Sequence, residues 1–190
     1  MSSKSVLGAS LRQIRPEEFH GTLFRRPRES LSFLFSADRP IPDILLDTTV
    51  YVDALKDDLP QEVESALETE RLWHITVTES ELAVFSGRLD PKRAETATII
   101  ARLAASIEQR PAHRVLNPDR EVWREAGILA GILARLQGYG KDQQRRALND
   151  ALIFLTAAKH GCAVLTRNLS DFDLLMQLDR RGMALFYDRI

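Results

Sequence analysis

The chain is predicted to fold as an α/β protein, a three-layer α/β/α sandwich around a mostly parallel sheet. Three observations point there. Short, continuous apolar runs such as Ile44-Leu45-Leu46 and Ala163-Val164-Leu165 suit strands buried on both faces. Segments with apolar residues every three or four positions lie between them, so strands and helices alternate. Acids stand just beyond the runs, Asp47 after the first and Asp171 after the second.

Residues 43–190 carry this pattern and read as one domain. Residues 1–42 read as an N-terminal extension, either flexible or docked. Pro16, Pro27, Pro40 and Pro42 punctuate it, Arg25-Arg26-Pro27-Arg28-Glu29 is a charge run, and Leu31-Ser32-Phe33-Leu34-Phe35 is its one apolar stretch. From Asp43 the order becomes regular. Ile44–Leu46 is a strand, a helix begins over Val50 to Leu55, and Leu59-Pro60-Gln61-Glu62-Val63 opens another running to about Glu70. His74-Ile75-Thr76-Val77 is the second strand. Thr78 then reads as an N-cap, with Glu81 three residues on closing a capping box, in a helix ending at Gly87.

Pro91 opens a long helix to about Gln109, with Ala94, Ala97, Ile100, Ala101, Ala104 and Ile107 as its apolar stripe. Arg114-Val115-Leu116 is a brief strand. Asp119 caps the next helix, in which Val122, Ala126, Leu129, Ala130 and Leu133 repeat at three and four. Gly138-Tyr139-Gly140 breaks it and is too short to be a phosphate-binding loop. Ala147 to His160 forms a further helix, Ala163–Leu165 a strand and Met183–Tyr187 the last strand.

At 190 residues and 44% hydrophobic content, the chain buries one good core with an appendage. A formal net charge of −1 excludes bulk attraction to polyanions, so nucleic-acid contact has to come from local patches. Residues 1–42 are net +3, which leaves −4 for the rest of the chain. The lone cysteine, Cys162, rules out an intramolecular disulfide and a cysteine-based zinc site, and reads as a small buried apolar residue. No run approaches the roughly 20 apolar residues that span a bilayer. The first residues, Met1 to Leu7, lack a signal-peptide core. A cytoplasmic protein without membrane contact is expected.

Four carboxylates carry the candidate chemistry: Asp47, Glu81, Asp150 and Asp171. Alternation puts Asp47 just past the first strand and Asp171 in the loop after Ala163–Leu165, at the edge where open α/β sheets bind ligands. Asp150 falls in the first turn of its helix with Ile153 and Ala157 on the same face, and Glu81 shares a face with Phe85. Gathering four acids is costly, about 4 kcal/mol for a like-charge pair 4 Å apart at an effective dielectric of 20. Either their pKa values rise or hard divalent cations neutralise them, and oxygen-only donors favour magnesium or manganese. With phosphates as further ligands, such a site suits phosphodiester hydrolysis. Taken singly, each acid also reads as an N-cap or a solvated loop residue; their joint placement argues for a site.

Other candidates are weaker. His20, His74, His113 and His160 lack metal-ligand spacing, and Ser80 and Ser86 have no histidine base nearby. Trp73 and Trp123 suit base stacking, the core or an interface. Lys141, Arg145 and Arg146 suit either RNA phosphates or a solvated face.

Leu45-Leu46-Asp47-Thr48-Thr49-Val50-Tyr51 resembles the opening strand motif of PIN-domain ribonucleases. Asp150-Ala151-Leu152-Ile153, followed by Leu165-Thr166-Arg167-Asn168-Leu169-Ser170-Asp171-Phe172, resembles the C-terminal motif of VapC-type toxins. The likeness covers roughly residues 43–187. It implies a PIN-like fold and magnesium ligands (Mg2+, or Mn2+) at Asp47, Glu81, Asp150 and Asp171. Thr49 and Thr166 match hydroxyls that orient carboxylates, and Asn168 matches a polar residue near the site. Two departures stand out: the extension before the first strand, and a loose middle motif in which Glu79 competes with Glu81. Asp173 reads as an auxiliary ligand or a helix-start residue. The implied function is a metal-dependent endoribonuclease acting on tRNA or rRNA, the toxin of a type II toxin–antitoxin pair, with a cognate antitoxin and a homodimeric state. The alternatives are a PIN nuclease of RNA maturation or of single-stranded DNA, and a catalytically inactive interaction module.

Overall fold

The structure, a computed structural model, describes residues 5–34, 42–69 and 71–189. Residues 1–4, Phe35, Pro40 and Glu70, which enter the sequence analysis, lie outside these ranges. Five strands form the sheet: β1 Ile44–Leu46, β2 Leu72–Ile75, β3 Val115–Leu116, β4 Ala163–Thr166 and β5 Met183–Phe186. Their order is β3-β2-β1-β4-β5, and each neighbouring pair is parallel. The chain builds outward from β1 on one side, then returns to lay β4 and β5 on the other. The winding therefore reverses between β1 and β4, where Leu46 stands beside Leu165.

Strand alternation splits the core in two. Leu45, Val164, Ala184 and Phe186 face a layer made by α1 Val6–Ile14, α6 Arg120–Gln137, α7 Lys141–Lys159 and α8 Leu169–Leu178. Ile44, Leu46, Ala163 and Leu165 face α2 Thr48–Leu55, α3 Gln61–Thr69 and α5 Thr96–Glu108. Helix α4, Thr76–Arg88, gives Val77 to the first layer and Leu82 to the second. This is the three-layer sandwich expected.

Several element boundaries differ from expectation. β2 ends at Ile75 and α4 starts at Thr76, so Thr78 is not an N-cap. It is buried within the helix, its hydroxyl donating to the Leu46 carbonyl at 3.5 Å, and no capping box forms with Glu81. The β-branched run misleads because burial of Val77 overrides its local preference. α5 starts at Thr96 rather than Pro91, and its inward residues are Ile99, Leu103 and Ile107. Ala97, Ile100 and Ala101 of the expected stripe are exposed; alanine suits either environment. α7 starts at Lys141, ahead of the apolar repeat, because Lys, Gln and Arg form helix well without any core contact. Asp119 does cap α6, accepting from the N–H groups of Glu121 and Val122 at 2.9 and 3.0 Å, and Gly138 ends it in the left-handed region (φ 67°).

Residues 5–34 lie against the domain. α1 packs on α6 and buries Ile14; Arg135 donates to the carbonyls of Pro16 and Phe19, both at 3.1 Å. Arg26 binds the buried Asp173 through its backbone N–H (2.8 Å) and its Nε (2.6 Å). Leu34 is buried beside β5, where its N–H donates to the Phe186 carbonyl at 2.9 Å and the Phe186 N–H donates to Ser32 at 2.9 Å.

We propose that residues 1–42 form an extension, docked through residues 5–34, on a domain spanning 43–190. Deleting residues 1–40 is expected to lower the unfolding midpoint while leaving one cooperative transition. Burial of Ile14 and Leu34 contributes about 1.5–3 kcal/mol each, but ordering the segment costs about 1–2 kcal/mol per residue. Deletion also returns Asp173 to water rather than stranding it. Thermal melting followed by circular dichroism checks this; a gradual loss of signal would place the segment in the core.

Candidate active site

The site grows from the point where the sheet reverses. β1 ends at Leu46, and Asp47 becomes the N-cap of α2. Its buried carboxylate accepts from the hydroxyls of Thr166 (2.7 Å) and Thr49 (2.8 Å), both on Oδ2, with the Thr49 N–H at 3.4 Å. Those hydroxyls are themselves oriented: the Arg167 N–H donates to Thr49 Oγ1 at 3.1 Å, and the Asn168 N–H to Thr166 Oγ1 at 2.9 Å. The ends of β1 and β4 thus hold one carboxylate in a fixed orientation. Burial raises the Asp47 pKa; the two threonine hydroxyls oppose the rise, and the Glu81 charge adds to it.

Glu81 sits one turn into α4. Its Oε1 accepts from Asn149 Nδ2 at 2.8 Å and its Oε2 from the Thr48 hydroxyl. Glu79 turns elsewhere and pairs with Arg110 at 3.3 Å. Asp171 is in the first turn of α8, not in the preceding loop; its Oδ2 accepts from Asn168 Nδ2 at 2.9 Å and its Oδ1 from the Tyr139 hydroxyl at 3.4 Å. Asn168 also caps α8, accepting from the Asp171 N–H at 3.3 Å. Burial, with the Asp171 charge beside it, pushes the Tyr139 phenol up, and Arg25 of the N-terminal segment acts in the opposite sense.

Asp150 lies in the third turn of α7 rather than the first, because that helix begins early. It is buried, and no donor among the described residues reaches its carboxylate. Burial raises its pKa well above the ordinary value, and the charges of Asp47, Asp171 and Glu81 raise it further against a small pull from Arg146. Asp150 is therefore within electrostatic reach of the other three acids, and Asp47 of Glu81. Among the described residues, however, no three acidic, histidine or cysteine side chains are drawn together at metal-ligand spacing. The donor set is all oxygen, and one buried carboxylate has no hydrogen-bond donor; these residues fit a hard divalent cation.

Asp173, an auxiliary ligand on one reading, is taken up by Arg26. His74 hydrogen-bonds Tyr51 through Nδ1 at 2.6 Å, and burial, with Arg110 adding to it, lowers its pKa to about 4. His20, His113 and His160 are exposed. Sequence reasoning missed Thr48, Asn149 and Tyr139 as partners of the acids. It also missed Asp53, which is fully buried and accepts from Arg167 Nε (2.7 Å) and Nη2 (3.2 Å) and from the Tyr187 hydroxyl (2.9 Å). The adjacency of Thr48 to Asp47 and of Asn149 to Asp150 was the available signal.

Fold and site together define an α/β protein with acids spaced around the switch point of a parallel sheet. A family model for the PIN domain matches residues 44–174, and the chain belongs to that family. No curated protein matches it. Among solved structures it is similar to VapBC2 from Rickettsia felis bound to a promoter DNA fragment, at 16% identity and a TM-score of 0.53, covering 77% of this chain and 99% of that one. FitAcB from Neisseria gonorrhoeae is 24% identical at a TM-score of 0.53, covering 76% and 96%. DNA-bound VapBC from Salmonella typhimurium is 22% identical at 0.50, covering 77% and 97%. These likenesses are of fold.

Proposed function

We propose that the chain is a divalent-metal-dependent endoribonuclease, the toxin of a type II toxin–antitoxin pair. The observation that carries this reading is Asp150: a buried carboxylate with no donor among the described residues, facing three further acids. Such a residue is stable in its charged form only beside a cation. Asp47, Glu81, Asp150 and Asp171 would hold Mg2+ or Mn2+, with Thr49, Thr166 and Asn168 fixing two of them. When bound, the ion supplies charge neutralisation and Lewis acidity toward a phosphodiester. The protein's part is positional. Thr49 and Thr166 keep Asp47 in one orientation, Asn149 and Thr48 keep Glu81 in another, and Lys141, Arg145 and Arg146 at the exposed start of α7 lie ready for RNA phosphates.

Membership of the PIN family supports nuclease chemistry, and the shared fold with VapBC structures supports a cognate antitoxin. A homodimer is proposed through the apolar side chains that α4 and α5 present to solvent, Val84, Phe85 and Ile100. The cytoplasm, where its RNA substrate resides, is the proposed location. Purified protein is expected to cut structured RNA with magnesium or manganese and to stop on addition of EDTA. Cleavage that survives thorough chelation would overturn the metal reading, and activity on single-stranded DNA alone would move the substrate.

A further inference from the structure

A pocket of about 260 Å³ opens beyond the carboxyl ends of β2 and β3, next to the acids along the same sheet edge. Thr76 and Ser80 of α4, Asn117 after β3, Trp123 of α6, and Asn149 and Leu152 of α7 are among its lining residues. Three features of the lining bear on its occupant. The Trp123 indole is 50% exposed, although α6 otherwise turns eight residues into the core. The side chains of Asn117 and Ser80 make no hydrogen bond among the described residues, so an amide and a hydroxyl are free to pair with polar edges. None of the lining residues is charged, so a phosphate would find no counter-charge there.

Asn149 joins this pocket to the acids. Its Nδ2 donates to Glu81 Oε1 at 2.8 Å while the residue forms part of the pocket wall. A ligand seated against Asn149 is therefore one side chain away from the acidic cluster.

We propose that this pocket receives one unstacked nucleobase of a single-stranded RNA segment, stacked on Trp123, while the adjoining phosphate lies toward the acids. The inference rests on the ribonuclease reading and names the form of RNA that reading accepts. A neutral aromatic ring with polar edges matches the lining: a π-face for the indole, and donors and acceptors for Asn117, Ser80 and the free Asn149 oxygen. The volume is below the roughly 300–1,000 Å³ of pockets for drug-sized ligands. One base fits, and a stacked duplex does not enter.

The test uses the full-length protein in EDTA, where cleavage is not expected, with a short single-stranded oligoribonucleotide as probe. The oligonucleotide is expected to quench tryptophan fluorescence saturably, whereas a blunt RNA duplex leaves it unchanged. Trp73, whose indole N–H is held by Asp43 at 2.9 Å, provides the constant background. In Trp123→Ala the quench should vanish, and affinity for a labelled oligonucleotide, read by anisotropy, should fall roughly 5- to 150-fold. Trp123→Phe should keep most of it. Equal affinity in wild type and Trp123→Ala overturns the pocket, and if the wild type still cuts RNA with magnesium, the ribonuclease reading stands without it. A wild type that neither cuts nor binds RNA sinks both. A Trp123→Ala variant that loses only self-association in sedimentation, with RNA affinity intact, makes this surface a contact between copies and also overturns the proposal.

Discussion

Asp150→Asn is expected to reduce RNA cleavage by at least the ~100-fold that loss of a metal-supporting residue brings. The substitution keeps the side chain's shape and removes one charge from the cluster, so it separates chemistry from folding. Its stability effect has the opposite sign. In the metal-free protein the Asp150 pKa lies well above its ordinary 3.8, first because of burial and then because of Asp47, Asp171 and Glu81. A carboxyl raised on folding contributes stability that is fully present below the ordinary pKa and is lost as pH rises through the folded one. The Asp150 contribution in metal-free wild type should therefore decline from about pH 4 upward, and Asp150→Asn should lack that decline. At neutral pH the variant should melt at the same temperature or higher. Magnesium should then stabilise it less than the wild type, because ligand-induced stabilisation follows affinity. Melting curves across pH, with and without magnesium, measure both signs. An active variant with an unchanged magnesium response would remove Asp150 from the ligand set.

Arg167→Ala is expected to destabilise the fold by stripping a buried carboxylate of most of its hydrogen bonds. Asp53 is 0% exposed and draws two of its three hydrogen bonds from Arg167, whose side chain is 36% exposed. Removing one partner of a buried pair costs about 3–5 kcal/mol, and the partial exposure of Arg167 reduces this to roughly 2–4 kcal/mol. The Arg167 backbone N–H, which orients Thr49 against Asp47, is retained in the variant, so activity per folded molecule should fall less than stability. The double change Asp53→Leu with Arg167→Met should recover part of the stability, since it leaves no charge unpaired but takes the acceptor from the buried Tyr187 hydroxyl. Urea unfolding midpoints for the single and double variants decide this. A single variant as stable as the wild type would show that Tyr187 alone satisfies Asp53.

What the sequence made legible was local. Continuous apolar runs marked β1 and β4 to within a residue, because strands buried on both faces leave no other pattern. The capping aspartate of α6 and the glycine that ends it were equally plain. Asp47 and Asp171 were readable as acids at the sheet edge for the same reason. The first two turns of α7 were not, since Lys141 to Arg146 touch no core and leave no periodicity. Nor were the long-range partners. Arg26 and Asp173 are 147 residues apart and Asp53 and Arg167 are 114 apart, and no local rule pairs them. Glu81 against Glu79 depended on such a pairing too, with Asn149 on one and Arg110 on the other.

The short bridge between Phe33 and Phe186 bears on how any partner docks. An outer strand of a sheet normally invites a visiting chain to extend it by main-chain hydrogen bonding. Here the protein has filled that invitation itself: both backbone groups of Phe186 are already bonded, to Ser32 and to Leu34. A protein that binds this molecule is thereby steered away from strand addition at Phe186 of β5, and side chains rather than backbone decide who fits there.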